Sequence, residues 1–397
     1  MMRFLRFVLI LLVLSLTCVS FAAEDCVRYD VATVDYDSIY WAPGIQYCRV
    51  IELNHNGDNN GMLVATYELL SSGLRIEKPG YNIHVSRDGG ATWEMTATVH
   101  EKAAAIQSEW EPVLYELPHE FGGMPEGTLL LSACSVDSAH AKQTALRMYR
   151  SFDLGYTWEQ FGTVVTGKSP EGVYEPFLEL LDNGQLACYY STAVNQEKHS
   201  QILAMKLSTD GKEWSEEMEV VALNEWELRP GMATVARMKD GRYIMTYEMC
   251  NAYNPDCGNP VYYRFSEDGI DWGDVTDPGT KLVTDEGVVP GSSPYVAYCR
   301  GYGDNGLVLV TSCFQTPSTG KGNVVYVNDA LGAPGAWKSW FIPAGNYRRK
   351  SGGYSHAIFP SSDGTTMYFV NNVPDEKSEE DFCKMIITRY NFDGKTL

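Results

Sequence analysis

Ser86 to Trp93 reads SRDGGATW and Ser151 to Trp158 reads SFDLGYTW, one pattern, S-x-D-x-G-x-T-W, met twice. Two shortened copies follow, STDGKEW from Ser208 and SEDGIDW from Ser266, each lacking one residue and the Thr. Each position has a physical task. The Asp carboxylate accepts backbone N–H groups across a tight turn, the Gly supplies a positive φ, and the hydroxyls tie the ends together. The Trp anchors the turn to the adjacent sheet by burying a large ring. The copies begin at 86, 151, 208 and 266, at intervals of 65, 57 and 58 residues. A recurring interval near 60 marks an array of similar units.

A second pattern runs beside the first. Each unit holds an apolar strand, a Gly-containing turn and a second apolar strand. Unit three is the clearest: EPFLELL from Glu175, the turn Asp182-Asn183-Gly184, then QLACYYS. Unit four runs RPGMATVARM from Arg229, turns at Lys239-Asp240-Gly241, and continues RYIMTYE. β-Branched and aromatic residues on both sides of Asn-Gly or Asp-Gly predict hairpins. The Asp-containing turns come after these hairpins and close a third and fourth strand. A degenerate fifth copy runs from Asn328 to Trp337. Six such units predict an all-β fold, a six-bladed β-propeller of four-stranded blades with Asp-box turns. Residues 26–397 give 62 residues per blade, and ring closure is expected to pair the segment after Cys26 with the last strand, Lys384 to Asn391. A pair of stacked β-sandwiches would leave the shared period unexplained.

The first 23 residues carry Arg3 and Arg6, an apolar run from Phe7 to Leu16, and small residues at Ser20, Ala22 and Ala23. That is the pattern of a secretory signal peptide, cut after Ala22 or Ala23. The apolar run is short for a span of roughly 20 residues. The expectation is a secreted, extracellular protein with residues 24–397 as one catalytic propeller domain and no membrane attachment after cleavage. Without Arg3 and Arg6, 29 basic residues face 51 acidic ones, a net charge near −22. Such a surface repels nucleic acid and other polyanions. Cys18 leaves with the signal, so nine of ten cysteines remain and at least one stays unpaired. Cys250 with Cys257 is the first expected pair, and Cys299 with Cys313 the second. No Cys or His spacing suggests zinc.

In a propeller the first strand of each blade lies nearest the axis. Residues at its start, and at the end of the second strand, point toward the central pocket; the Asp-containing turns fall at the opposite face. Counted from the turn glycines, Glu175 starts the first strand of blade three and Glu248 ends the second strand of blade four. Two carboxyl groups facing one cavity are what glycosidic cleavage needs, one giving a proton and the other attacking or activating water. Periodicity alone does not single this pair out, because Glu111 precedes Pro112 as Glu175 precedes Pro176, and Glu68 follows Gly61 as Glu248 follows Gly241. The alternative is a set of rim carboxylates bonded to Arg or backbone N–H groups.

The stretches GVYEPFLELLDNGQL (Gly172 to Leu186) and RPGMATVARMKDGRYIMTYE (Arg229 to Glu248) resemble glycoside hydrolase family 93, within the sialidase-like Asp-box superfamily. Members of that family are exo-α-1,5-L-arabinanases that release arabinobiose from linear arabinan with retention. The resemblance carries the two catalytic carboxylates onto Glu175, as acid/base, and Glu248, as nucleophile. It implies a plant cell-wall polysaccharide or oligosaccharide substrate, a monomer, and no metal or organic cofactor. Arg49 and His356 lie eight residues before the turn glycines of blades one and six and are expected to face the channel; Arg229 opens the inner strand beside Glu248. With Tyr174 next to Glu175, these are the expected substrate-binding residues; alternation leaves Tyr174 or Tyr247 packed rather than sugar-facing. A sialidase would need three Arg, one in an early Arg-Ile-Pro, whereas Tyr47-Cys48-Arg49-Val50 lacks the Pro. A carbohydrate- or protein-binding propeller without catalysis is the third reading, and a shared fold does not decide it.

Overall fold

The computed structural model describes residues 26–33, 44–69, 80–102, 106–137, 143–168, 172–252, 259–316, 323–342, 353–375, 377 and 383–391. The signal segment and Cys257 lie outside them. Six antiparallel four-stranded sheets form, each made of consecutive strands except at the ring closure and in blade five, where Phe314–Thr316 leaves the order to pair with Val289–Gly291 in a separate two-stranded sheet. Blade one comprises Ile45–Glu52, Leu63–Leu69, Tyr81–Ser86 and Glu94–Val99; blades three and four begin with Val173–Leu180 and Arg229–Arg237. In the last blade, Cys26–Ala32 pairs with Cys383–Asn391 in the register Cys26↔Tyr390, so the ends of the chain lock the ring as the repeat predicts. The first strands of successive blades pack against one another around the axis. A cavity at one mouth of that axis takes residues from all six of them, including Ile51, Tyr115, Glu179, Arg237, Tyr298 and Phe359.

The Asp-containing turns join the third strand of a blade to its fourth. In blade one, Gly90 N–H donates to Ser86 Oγ (2.9 Å) and Thr92 donates through both N–H (2.9 Å) and Oγ1 (2.6 Å) to Asp88. The shortened copy at Ser266 replaces the Thr bonds with N–H groups of Ile270 and Asp271 on Asp268 (2.8 and 2.9 Å). The turns also join blades: Thr96 of blade one donates to the carbonyl of Gly155 (2.9 Å), and Tyr189 of blade three to that of Gly269 (2.5 Å). Gly155 needs its φ of 92° to present that carbonyl, a conformation a Cβ would strain. Trp272 is buried against Tyr189 and Trp337 against Tyr263, ring centroids 5.8 and 5.5 Å apart. Trp93, Trp158 and Trp214 are only half-buried, so the anchor is complete in two turns of five.

The expected Cys299–Cys313 bridge does not form, and Cys299 and Cys250 are free thiols. Register explains the blade-five result. Cys299 sits opposite Leu307 at the turn end of its hairpin, while Cys313 lies beyond Thr311, the partner of Tyr295 at the other end. That is several residues more than the roughly 7 Å Cα separation a disulfide tolerates. No helix among the described residues is long and apolar enough to cross a membrane.

Candidate active site

The first strands of blades one to four each carry one non-glycine residue in the left-handed region, Tyr47 (φ 47°), Glu111 (56°), Glu175 (60°) and Met232 (57°); in blades five and six such residues precede the strand, Ser292 (61°) with Ser293 (48°), and Ser355 (55°). In blades one to four the ladder slips at these residues, a β-bulge that sets two residues of the first strand against one of the second. Such backbone costs on the order of 1–3 kcal/mol per residue and persists only where surroundings over-determine it. Here carboxylates do so. Glu68 accepts the N–H of Glu111 (3.1 Å), Glu111 that of Glu175 (2.6 Å), Glu175 that of Met232 (2.7 Å), and Glu248 that of Ser293 (2.8 Å). Four carboxyls thus link five blades, each reaching a left-handed residue of the next.

Glu175 opens onto a cavity of about 570 Å³ at the face opposite the Asp-containing turns. Strand direction fixes that face: the lining residues start first strands (Tyr174, Glu175, Arg229), end second strands (Asn251) or start third strands (Gln201). Ser191 donates to the Glu175 carboxyl (2.5 Å) alongside Met232. Burial, and next the charge of Glu248, push the Glu175 carboxyl up to about 7, against the pull of Ser191, Met232 and Arg229. Glu248 lies across the strand pair from Gly231, is almost wholly buried, and accepts from the Cys250 thiol (3.0 Å) as well as from Ser293.

The other expected residues divide. Arg229 lies in the cavity wall, exposed, with one guanidinium nitrogen on Gln201 Oε1 (2.7 Å) and the rest of the group toward solvent. Tyr174 is half-buried in the same wall, its hydroxyl folded over Gly172 in space a Cβ would fill. Tyr247 is fully buried, bonded to the Pro278 carbonyl (2.6 Å), and takes no part in the wall. Arg49 borders a small adjoining chamber together with Tyr47, Glu111, Glu175 and Met232. Its guanidinium donates to the Ser355 carbonyl (3.0 Å) and hydroxyl (2.8 Å), between the rings of Tyr47 and Tyr295. His356 is buried against Phe369, with burial and Arg49 driving its imidazole down to about 3, and lines neither space. Two residues without a repeat signal complete the wall: Gln201 and Trp226, whose exposed ring borders the cavity with its N–H on the Gln196 carbonyl (2.8 Å). The described residues hold no cluster of His, Cys, Asp and Glu able to bind a metal ion.

No protein-family model and no curated protein matches the chain. Solved structures do. A family 93 α-L-arabinofuranosidase of Fusarium graminearum, in complex with arabinobiose, is similar at TM-score 0.79 and 29% identity over 92% of this chain and 97% of that one. An α-L-arabinanase of Penicillium chrysogenum, also complexed with arabinobiose, is similar at TM-score 0.77 and 28% identity, over 92% and 98% of the two chains. A sialidase of Streptococcus pneumoniae shares the fold alone, at TM-score 0.58 and 11% identity. In fold, and over nearly the whole of both chains, this chain is similar to glycoside hydrolases of family 93.

Proposed function

We propose that the chain is an exo-acting α-L-arabinanase of linear α-1,5-arabinan, releasing arabinobiose with retention through Glu175 and Glu248. The observation that carries this is the Glu175 carboxyl, half-buried, open to the cavity and raised to about 7 with Glu248 as the neighbouring charge. A retaining enzyme needs one carboxyl protonated and the other ionised at the same pH. Glu175, protonated, gives its proton to the glycosidic oxygen as that bond breaks. A Glu248 oxygen, ionised, bonds to the anomeric carbon from the other side and forms a glycosyl ester. Glu175, now ionised, takes a proton from water, whose oxygen replaces Glu248 at the anomeric carbon. The proton returns to Glu175 and Glu248 leaves as carboxylate, so the cycle closes.

Arg229, Gln201 and Tyr174 present donors and acceptors suited to sugar hydroxyls, and Trp226 a flat face for a ring. The arabinobiose bound in both solved relatives supports that substrate class. We also infer secretion by way of residues 1–23, which fits a polymer too large to enter a cell. The sialidase alternative loses support at Arg49, whose donors are committed to Ser355 and to the Cys48 carbonyl (2.9 Å). The test is proton NMR of linear arabinan during hydrolysis: arabinobiose should appear first as the α-anomer. The β-anomer first would refute retention, and cleavage of sialyl-lactose but not arabinan would refute the substrate.

A further inference from the structure

Glu111 has no part in the two-carboxylate reaction, yet its placement is specific. It borders both the large cavity and the small chamber, and its Oε2 takes the main-chain N–H of Glu175 at 2.6 Å. Its own N–H is taken in turn by Glu68 Oε2 at 3.1 Å, so a half-buried and a buried carboxyl stand in series behind Glu175. The direction of the Glu175 side chain depends on this bond. Successive residues of a strand point to opposite faces, and the bulge at Glu175 and Pro176 interrupts that alternation. With φ at 60°, the peptide of Glu175 turns its N–H toward blade two and its carboxyl toward Ser191 and Met232. Deprived of an acceptor, the N–H would be buried unpaired, at a cost comparable to the strain of the left-handed residue itself. The ordinary extended conformation would then compete, with the carboxyl displaced.

We propose that Glu111 is a positioning residue: its carboxyl captures the main-chain N–H of Glu175 and so sets the direction in which the Glu175 side chain leaves the strand. The kinetic part of this inference rests on the arabinanase reading; the conformational part does not. The bond asks only for a carbonyl-type oxygen. Burial, reinforced by the charges of Glu175 and Glu68, holds Glu111 well above the usual carboxylate range, so a neutral acid makes it. An amide of the same shape should therefore serve, and a methyl group should not.

The experiment compares Glu111→Ala with Glu111→Gln by steady-state kinetics on linear arabinan and by hydrogen exchange at the Glu175 amide. A misplacement of about 1 Å can cost on the order of 100-fold in rate. Glu111→Ala is expected to lower kcat about 30- to 100-fold with KM within about threefold, and to speed exchange at the Glu175 amide at least about tenfold. Glu111→Gln is expected to keep kcat within about threefold of the parent and to leave that amide protected. Equal losses in both variants with the amide still protected would overturn the inference, since the carboxyl would then act on the substrate itself. Parental kcat and protection in Glu111→Ala would overturn it as well. If Glu111→Ala does not fold, Glu111→Asp replaces it: its carboxyl ends one methylene short of the N–H, and parental kcat there is equally fatal. A parent enzyme inactive on arabinan refutes the functional reading alone, and amide exchange then decides the matter by itself.

Discussion

Gly231 leaves open the space beside the Glu175 carboxyl: a Cβ on Gly231 would stand 3.4 Å from Glu175 Oε2 and 3.0 Å from Gln201 Nε2. Gly231 also lies directly across the strand pair from Glu248, so a residue without a side chain separates the two carboxyls. Its backbone is not in the left-handed region, and alanine would fit it without strain. The burden of Gly231→Ala therefore falls on its neighbours, which must yield by a few tenths of an ångström. We expect a fall of about tenfold or more in kcat on linear arabinan, with a stability loss of only about 1 kcal/mol. An unchanged kcat would mean that the two carboxyls do not need this gap.

The roles of Glu175 and Glu248 separate by small-nucleophile rescue. Glu175→Ala and Glu248→Ala should each lose about 100-fold or more in kcat on arabinan. Azide added to Glu175→Ala enters the vacated acid/base position after the glycosyl ester forms and gives the α-arabinosyl azide. Added to Glu248→Ala, it attacks in place of the nucleophile and gives the β-azide. Product configuration by NMR is the measurement, and the reverse pattern would exchange the assignments. The parent kcat/KM should fall as pH rises through about 7, because Glu175 must be protonated to act as the acid and deprotonates there. That limb should vanish in Glu175→Ala.

The fold was legible because the propeller repeats its own chemistry. Ser, Asp and Gly of the turn at Ser86 recur at Ser151, Ser208 and Ser266, and in each the Gly N–H donates to the Ser hydroxyl. The position of Glu175 and Glu248 on one rim followed from the same counting. What the counting could not see is that Glu68 and Glu111, set aside as look-alikes, belong to one hydrogen-bonded series with the candidate pair. That series depends on φ at four left-handed residues, Glu111, Glu175, Met232 and Ser293, and φ of a non-glycine residue leaves no mark in a sequence. His356 shows the converse: its spacing matched Arg49, but which face of a short strand lies against Phe369 is a matter of packing. The cysteine pairing failed for want of register, which puts Cys299 and Cys313 at opposite ends of one hairpin. Gln201 and Trp226 come from segments outside the repeated strand pair, where no period applies.

Trp226 is the large exposed apolar side chain in the cavity wall, 49% accessible, with its N–H already bonded to Gln196. An indole held in place with its face free is suited to pack against a furanose ring. It lies among Arg229, Glu227 and Asn251, away from the direct bonds of Glu175, so its effect should be on binding. We expect Trp226→Ala to raise KM for linear arabinan about tenfold, equivalent to about 1.4 kcal/mol, with kcat within about threefold. Trp226→Phe should recover part of the loss. A drop in kcat with unaltered KM would instead tie the ring to the reacting sugar.

Stability should respond to pH in the opposite sense to most proteins above pH 5. Burial raises the carboxyls of Glu68 and Glu109 to about 8, and both are only 3% exposed. Their folded-state values lie above those of the unfolded chain, where carboxyls ionise near pH 4.3. Below that value both states are protonated and the full stability is present. As pH rises, the unfolded chain releases the protons first, so each group withdraws stability at on the order of 1 kcal/mol per pH unit until about pH 8. On the acid side, Thr92 holds Asp88 below its usual value, so its contribution is lost as pH falls through that depressed range. The thermal midpoint should therefore peak near pH 4–5 and decline toward pH 8. Glu68→Gln keeps an oxygen for the Glu111 N–H but cannot ionise, so it should unfold at a higher temperature than the parent at pH 8 and close to it at pH 4.5. Calorimetry of the two proteins at both values is the measurement. An equal difference at the two pH values would show that Glu68 is charged in the folded protein.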